Sequence, residues 1–219
     1  LSEVVKIEGI DKFKFLVLPD DKRIKKLLRK YRSYKNKIEI IYGNLKDREV
    51  CDRLVSGCDY VINLAAVIPP HSDQDPQSAI DCNETGVKNL VKGIESCEYQ
   101  PKYIHISTVA LYGNRNYHHP WGQVGDPLLV SPYDIYSATK LRGEFYVLES
   151  EIKTWVVLRQ TAMLHNNMLK DNMSDGLMFH TCFNAPLEWA TAHDSGLLIA
   201  NILRKDMAED LSKFFWKHI

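Results

Sequence analysis

The sequence has 219 residues, of which 45% are hydrophobic and 26% charged, and its 28 basic residues are balanced by 28 acidic ones. These values are ordinary for a globular protein, and the zero net charge gives no global attraction to nucleic acid or to an anionic membrane surface. No apolar run approaches the roughly 20 residues of a membrane-spanning helix, and the start of the chain has no apolar signal segment. We therefore expect one domain, or one domain with a small appendage, and neither a nucleic-acid nor a membrane partner.

Short apolar runs bounded by turn residues predict strands over residues 13–18, 37–42, 60–66, 103–107 and 155–159. Helices are predicted between them, over residues 24–31, from after Asp47 to about 56, over 77–97 and over 136–150. The run 22–37 is rich in basic residues, but its apolar positions recur with helical period, so a solvated amphipathic helix explains it better than a nucleic-acid surface does. Strands that alternate with helices imply right-handed crossovers and a parallel sheet covered on both faces.

The five cysteines are an odd number and include no C-x-x-C pair. This usage is typical of reduced thiols rather than of a disulfide framework or a zinc site, so we expect a cytoplasmic protein without a bound metal. The sequence begins with Leu1, and no G-x-x-G-x-x-G motif precedes the first predicted strand. We expect it to be part of a longer protein.

The most informative motif is Tyr136-Ser137-Ala138-Thr139-Lys140. Positions four apart lie on one face of a helix, so the Lys140 ammonium can lie beside the Tyr136 hydroxyl. A nearby positive charge favours the phenolate, and we therefore expect Lys140 to lower the pKa of Tyr136 below its ordinary value of about 10. A tyrosine of this kind can donate or accept a proton near neutral pH.

Four further motifs precede the tyrosine in a characteristic order. They are Gly43-Asn44-Leu45-x-Asp47, Asn63-Leu64-Ala65-Ala66, Asn83 in a helix, and Ser107-Thr108 followed by Tyr112-Gly113. Taken singly, each also fits a turn, a strand end or a helix cap. Taken together, they resemble the extended short-chain dehydrogenases/reductases, the family that includes the NAD-dependent epimerases and dehydratases. The resemblance extends over about residues 13–203.

The resemblance implies an α/β, Rossmann-like doubly wound parallel sheet with helices on both faces. Residues 1–163 would form the dinucleotide-binding domain, without its first strand and glycine loop. Residues 164–219 would form a small, incomplete substrate-binding part that returns to the core near residues 187–203. The implied catalytic residues are Tyr136, Lys140, Thr108, Ser107 and Asn83, with Thr108 favoured over Ser107 as the hydroxyl that orients the substrate oxygen. The implied cofactor-binding residues are Asp20, Asn44, Leu45, Leu64, Ala65, Ala66, Tyr136 and Lys140.

The function that this resemblance implies is hydride transfer between a nicotinamide and a carbon that bears a hydroxyl or carbonyl group, in a nucleotide sugar or a small alcohol or ketone. The expected cofactor is NAD or NADP. Asp20 or Asp21 could bond a ribose 2′-hydroxyl, whereas Lys22 and Arg23 could pair with a 2′-phosphate, and we lean slightly to NAD. A homodimer is also implied by the family. The alternative is a catalytically silent dinucleotide sensor or interaction module on the same fold.

Two features depart from the family pattern, and a third fits it. Dehydratases of the family often carry an Asp-Glu pair where this sequence has Val109 and Ala110, which argues against dehydration. Gln160 stands after Arg159 where the family usually has proline, and this could alter the loop that holds cofactor and substrate. Asp194 is predicted to be the N-cap of a late helix.

Overall fold

The computed structural model describes residues 2–115, 118–164 and 188–209. Its strands are β1 (Phe13–Val17), β2 (Ile38–Tyr42), β3 (Tyr60–Asn63), β4 (Lys102–Thr108), β5 (Trp155–Gln160), β6 (Ala162–Leu164) and β7 (Trp189–Thr191). Its α-helices are α1 (Ile24–Lys30), α2 (Arg48–Val55), α3 (His71–Gln74), α4 (Pro76–Ala79), α5 (Gly86–Glu95), α6 (Ile135–Leu148) and α7 (Ala192–Glu209). Within the described ranges, no helix is both long enough and apolar enough to cross a membrane.

The strands form parallel ladders that pair β1 with β2, β3 with β4 and β5, and β6 with β7. In the register of β4 and β5, Ser107 lies opposite Arg159 and Thr108 lies opposite Gln160. Because parallel strands end at the same edge of a sheet, the residues that follow β3, β4 and β5 lie together at one edge. The prediction of an α/β fold with a parallel sheet is confirmed.

Apolar side chains cover both faces of the sheet. Tyr103 belongs to a core cluster with residues of α2, α5 and α6, whereas its neighbour Ile104 belongs to a second cluster with residues of β1 and α7. Successive strand residues point to opposite faces, so one strand contributes to both cores. This arrangement confirms the doubly wound architecture.

The helix predicted over 77–97 is interrupted by a π-helical turn over Ile80–Thr85. This turn carries Asn83, and α6 crosses it where a Cβ on Gly143 would lie 2.2 Å from the Asn83 carbonyl oxygen. Only a glycine allows the two helices to approach so closely. The sequence pattern does not reveal the π turn, because inserting one residue into a helix changes its apolar period only locally.

Two predicted element ends are wrong. The strand predicted over 60–66 ends at Asn63, because the Asn63 side-chain oxygen accepts a hydrogen bond from the Ala65 N–H at 3.1 Å and turns the chain out of the ladder. The helix α7 is capped by Thr191, not by Asp194. The Thr191 hydroxyl accepts from the Asp194 N–H at 3.1 Å, and the Asp194 carboxylate accepts from the Thr191 N–H at 3.3 Å, a reciprocal capping box.

The domain division at residues 163–164 stays a prediction, because residues 165–187 and 210–219 lie outside the described part of the chain.

Candidate active site

The candidate site lies where the end of β4 meets the N-terminal half of α6. Asp134 caps this helix, since its carboxylate accepts a hydrogen bond from the Ser137 N–H at 3.0 Å. The cap places Tyr136 in the first turn, beside Thr108, the last residue of β4, whose hydroxyl favours the ionised form of the phenol. The structure therefore brings together the phenol and the hydroxyl that the sequence singled out.

The electrostatics of Tyr136 differ from the prediction. Burial raises the pKa of Tyr136 above its ordinary value of 10, the nearby Thr108 hydroxyl acts in the opposite direction, and the Asp134 charge adds to the rise. The prediction that Lys140 lowers the pKa of Tyr136 was wrong for this geometry. The Lys140 ammonium instead donates to the Ile106 carbonyl oxygen at 2.6 Å.

Lys140 is nearly inaccessible, with 2% of its surface exposed. Burial lowers the pKa of this ammonium from 10.5 to about 8, and the nearby Cys82 and Glu144 oppose the change. Charged amines are poorly solvated in protein interiors, which favours the neutral form. Lys140 is therefore a buried amine that can exchange its proton close to neutral pH.

Ser107 does not share the position of Thr108. Its hydroxyl donates to the Glu144 carboxylate at 2.6 Å, two helical turns along α6 from Tyr136. Glu144 is fully buried and also accepts from the Arg159 guanidinium. The Ser107 hydroxyl is thus bonded within the core, and Thr108 is the hydroxyl that lies beside Tyr136. The substrate contact of Thr108 stays a prediction.

Glu144 was missed by the sequence reasoning. A glutamate in an amphipathic helix ordinarily lies on the solvated face, and nothing in its immediate neighbours suggests otherwise. The signal that could have found it is its spacing: Tyr136, Lys140 and Glu144 recur every four residues and share one face of α6.

Asn83 connects the site to the loop after β3. It is 1% exposed, and its amide exchanges two hydrogen bonds with the backbone of Val67, at 2.8 and 2.9 Å. The same amide donates to the Thr139 hydroxyl on α6 at 3.1 Å. Asn83 therefore fixes the loop and α6 relative to each other.

A second buried chain of polar groups reaches the same loop. The Tyr103 hydroxyl lies 3.2 Å from Nδ1 of His105 and 3.4 Å from the Asn63 amide nitrogen, and Asn63 in turn holds the Ala65 N–H. Burial lowers the pKa of His105 well below its usual range, so the imidazole is neutral. His105 is a further residue that the sequence did not single out.

The predicted cofactor-binding residues follow the carboxyl ends of β1, β2 and β3. Leu64 and Ala66 are exposed and Ala65 is partly exposed, so the strand-end backbone is accessible. Leu45, in contrast, is a core residue whose side chain packs against Gly86. Asn44 accepts a hydrogen bond from the Lys46 N–H at 3.0 Å and shapes the turn after β2.

Near the end of β1, Asp20 is exposed. Asp21 accepts from the Arg23 N–H at 2.9 Å and from the Arg23 guanidinium at 2.8 Å. These hydrogen bonds lower the pKa of Asp21 to about 2. Of the Asp20 and Asp21 carboxylates, that of Asp21 is therefore already hydrogen-bonded to Arg23.

Gln160 has a defined contact. Its side-chain oxygen accepts a hydrogen bond from the Ser195 hydroxyl at 2.9 Å, so the end of β5 is tied to the first turn of α7. Proline could not make this contact.

In the described part of the chain, no group of three or more His, Cys, Asp or Glu side chains could hold a metal ion.

Comparison with solved structures shows the same fold. Similar structures include a double mutant of DesIV, a dTDP-glucose 4,6-dehydratase from Streptomyces venezuelae solved with NAD and DAU bound, at a TM-score of 0.69 and 17% identity, covering 89% of this chain and 63% of that one. WbmH from Bordetella bronchiseptica, in complex with NAD+, matches at a TM-score of 0.63 and 16% identity, covering 88% and 73%. RMD from Pseudomonas aeruginosa, complexed with NADPH, matches at a TM-score of 0.60 and 17% identity, covering 87% of this chain and 73% of that one.

Among curated proteins, dTDP-4-dehydrorhamnose reductase of Mycolicibacterium smegmatis is 33% identical over 115 residues, which are 52% of this chain and 34% of that protein. The chain thus spans about a third of that relative's length. The model of the NAD dependent epimerase/dehydratase family matches residues 18–159. Because this match covers well over half of the sequence and includes the β4–α6 site, the chain belongs to the NAD-dependent epimerase/dehydratase family.

Proposed function

We propose that this chain carries the active site of an NAD(P)-dependent oxidoreductase or epimerase of the extended short-chain dehydrogenase type. The observation that carries the proposal is the proximity of Thr108 and Tyr136, with Lys140 buried one helical turn further along the same face of α6. A phenol, a hydroxyl and an amine that converge at the carboxyl edge of a parallel sheet are the groups needed to move a proton to or from a substrate oxygen.

The residues have separate roles in this proposal. Tyr136 donates or accepts the proton on the substrate oxygen. Thr108 donates a hydrogen bond to the same oxygen and stabilises the charge that develops there. Lys140 supplies positive charge and a bond to a ribose hydroxyl after turning from the Ile106 carbonyl. Asn83 holds the helix that carries both side chains.

The chain's own features fit a dinucleotide. The exposed strand-end backbone at residues 64–66 allows close approach of a cofactor, and Asn44 lies in the turn after β2. When bound, the nicotinamide would accept or deliver the hydride. Asp20 is exposed, and Arg23 is held by Asp21. This arrangement supports NAD over NADP, because a carboxylate is available for a 2′-hydroxyl while the guanidinium is already paired.

The substrate class that we propose is a nucleotide sugar with a hydroxyl or carbonyl carbon, with a small alcohol or ketone as the broader class. The reductase named among the relatives supports the first. Val109 and Ala110 follow Thr108 without acidic groups, which favours reduction or epimerisation over dehydration. A homodimer and a cytoplasmic location belong to the same proposal.

One observation favours a second function, a silent dinucleotide-sensing or interaction module. The Lys140 ammonium is bonded to the Ile106 carbonyl, and burial raises the pKa of Tyr136. If this arrangement persists when a nucleotide binds, Lys140 makes no bond to the ribose and the protonated phenol does not act as a base.

The test is the Tyr136→Phe variant of the full-length protein, assayed with dTDP-4-dehydrorhamnose and NADH or NADPH. We expect turnover to fall by a factor on the order of 10² or more while the dissociation constant of the nucleotide changes little. Tyr133→Phe is the matched control, because Tyr133 is 93% exposed and lies in the same segment. Turnover that survives in Tyr136→Phe would exclude Tyr136 as the acid/base.

A further inference from the structure

The last three residues of β4 each contact α6 at a different turn. Thr108 lies beside the Tyr136 side chain, the Ile106 carbonyl accepts from Lys140, and Ser107 donates to Glu144. The first two contacts belong to the candidate site. The third contact, between Ser107 and Glu144, lies outside the candidate site, and the proposed mechanism gives it no role.

The contact between Ser107 and Glu144 is part of a larger buried network. Glu144 accepts from Arg159 through both carboxylate oxygens, with the Arg159 Nε atom at 3.3 Å. Arg159 lies directly opposite Ser107 in the ladder of β4 and β5. The Glu144 carboxylate therefore binds two neighbouring strands at the same level and holds both against α6.

Arg159 also holds the turn that follows Thr108. Its Nη1 atom donates to the Tyr112 hydroxyl at 2.9 Å, and its guanidinium lies 5.1 Å from the centre of the Tyr112 ring. Tyr112 ends the short 3₁₀ turn that starts after Thr108. The network thus fixes the backbone on both sides of Thr108.

The buried ion pair of Arg159 and Glu144 is better explained by the orientation it imposes on its neighbours than by a contribution to stability. Both charges are removed from water, with side-chain exposures of 8% for Arg159 and 0% for Glu144. Buried ion pairs often contribute no more stability than apolar residues of the same volume, so their presence is weak evidence for a stabilising role. A bidentate pair does, however, impose a defined direction on the groups it joins.

We propose that Glu144 and Arg159 are positioning residues, whose ion pair anchors Ser107 on α6 and thereby holds the Thr108 hydroxyl against the Tyr136 phenol. The proposal rests on the proposed function only for its effect on turnover. The contact itself is a property of the folded chain.

The primary test is spectroscopic and needs no substrate. The protein is labelled with ¹³C at the ζ carbon of tyrosine, whose chemical shift responds to hydrogen bonding of the phenol, and the Tyr136 signal is identified by its loss in Tyr136→Phe. Thr108→Val removes the neighbouring hydroxyl and defines the shift of a phenol without this partner. We expect Glu144→Gln to move the signal in the same direction, and Ser107→Ala to move it by a smaller amount. Ser107→Ala leaves the ion pair intact, so it provides the test if Glu144→Gln does not fold.

The chain offers a matched control in Asp206→Asn. Asp206 on α7 is buried and pairs with Lys102, the first residue of β4, at 2.8 Å. Its substitution breaks a buried ion pair on the same strand but far along it from Thr108. We expect lower stability and an unmoved Tyr136 signal.

A Tyr136 signal that moves in Thr108→Val but stays in place in both Glu144→Gln and Ser107→Ala would overturn the proposal, as would an equal movement in Asp206→Asn. Where the wild type turns over substrate, Glu144→Gln should lower kcat by about tenfold to a hundredfold without weakening nucleotide binding. In a Thr108→Val background, Glu144→Gln should lower kcat by a smaller factor, because Glu144 and Thr108 act through one contact. A wild type that binds no nucleotide would refute the proposed function and leave the spectroscopic result to decide this proposal.

Discussion

Replacing Lys140 by methionine should change how the stability of the protein depends on pH. Burial lowers the pKa of this lysine from 10.5 to about 8. Each pKa unit corresponds to about 1.4 kcal/mol, so burying the charged amine costs about 3 kcal/mol relative to the neutral one. Methionine has a similar length and no charge, and it therefore avoids this cost.

Whether the free energy of unfolding rises or falls with pH depends on which state binds more protons. Between pH 8 and pH 10.5 the unfolded chain holds a proton on this lysine that the folded chain has released, so the free energy of unfolding of the wild type rises with pH. Below pH 8 both states are protonated and the cost is fully present. Above pH 10.5 both are neutral and the cost is absent. The charged and titratable groups around the amine are Cys82, Glu144 and His105, and they are the same in both proteins.

Urea unfolding of the wild type and Lys140→Met at intervals from about pH 7 to pH 10 measures the effect. The free energy of unfolding of the wild type should gain about 2–3 kcal/mol relative to the variant over this range. Lys25→Met, an exposed position on α1, is the control and should parallel the wild type. If the difference in free energy of unfolding between the wild type and Lys140→Met stays constant with pH, the conclusion that Lys140 is a buried amine with a lowered pKa is refuted.

Three further substitutions test the packing around the site. Gly143→Ala should destabilise the protein by about 1–3 kcal/mol, since the added Cβ would lie 2.2 Å from the Asn83 carbonyl oxygen; Gly196→Ala, a helical glycine with ordinary contact distances, should be neutral or stabilising in the same thermal melts. Thr191→Ala should cost about 1 kcal/mol through loss of the helix cap, and Thr191→Ser should restore it. Asn83→Ala should cost about 1–3 kcal/mol, because it leaves partly buried backbone groups of Val67 without their protein partner, and hydrogen exchange should show that amide opening faster.

Much of the fold could be predicted from the sequence because buried parallel strands are continuous apolar runs with clear turn residues between them. Strands β1, β2, β4 and β5 begin and end within a residue of the predicted positions. Errors arose where a side chain bonds the backbone. Asn63 ends β3 early by holding the Ala65 N–H, and Thr191 caps α7 in place of Asp194.

The candidate site was predictable in its residue types and less so in its electrostatics. The i, i+4 spacing placed Tyr136 and Lys140 on one face of α6, as expected. It could not show that the Lys140 ammonium turns to a carbonyl of β4, or that burial raises the pKa of Tyr136. The role of Glu144 depends on Arg159, a residue from another strand, and such a pairing becomes visible only when the fold is known.

Action of the β4–α6 site on a dinucleotide is tested most directly by calorimetric titration of the full-length protein with NAD(H) and NADP(H), with Asp20→Ala and Lys22→Ala beside the wild type. We expect micromolar binding of at least one nucleotide, equivalent to about −8 kcal/mol, and weaker NAD(H) binding in Asp20→Ala than in Lys22→Ala. Heats of dilution alone with both nucleotides would contradict it and would make the silent module the better description of this chain.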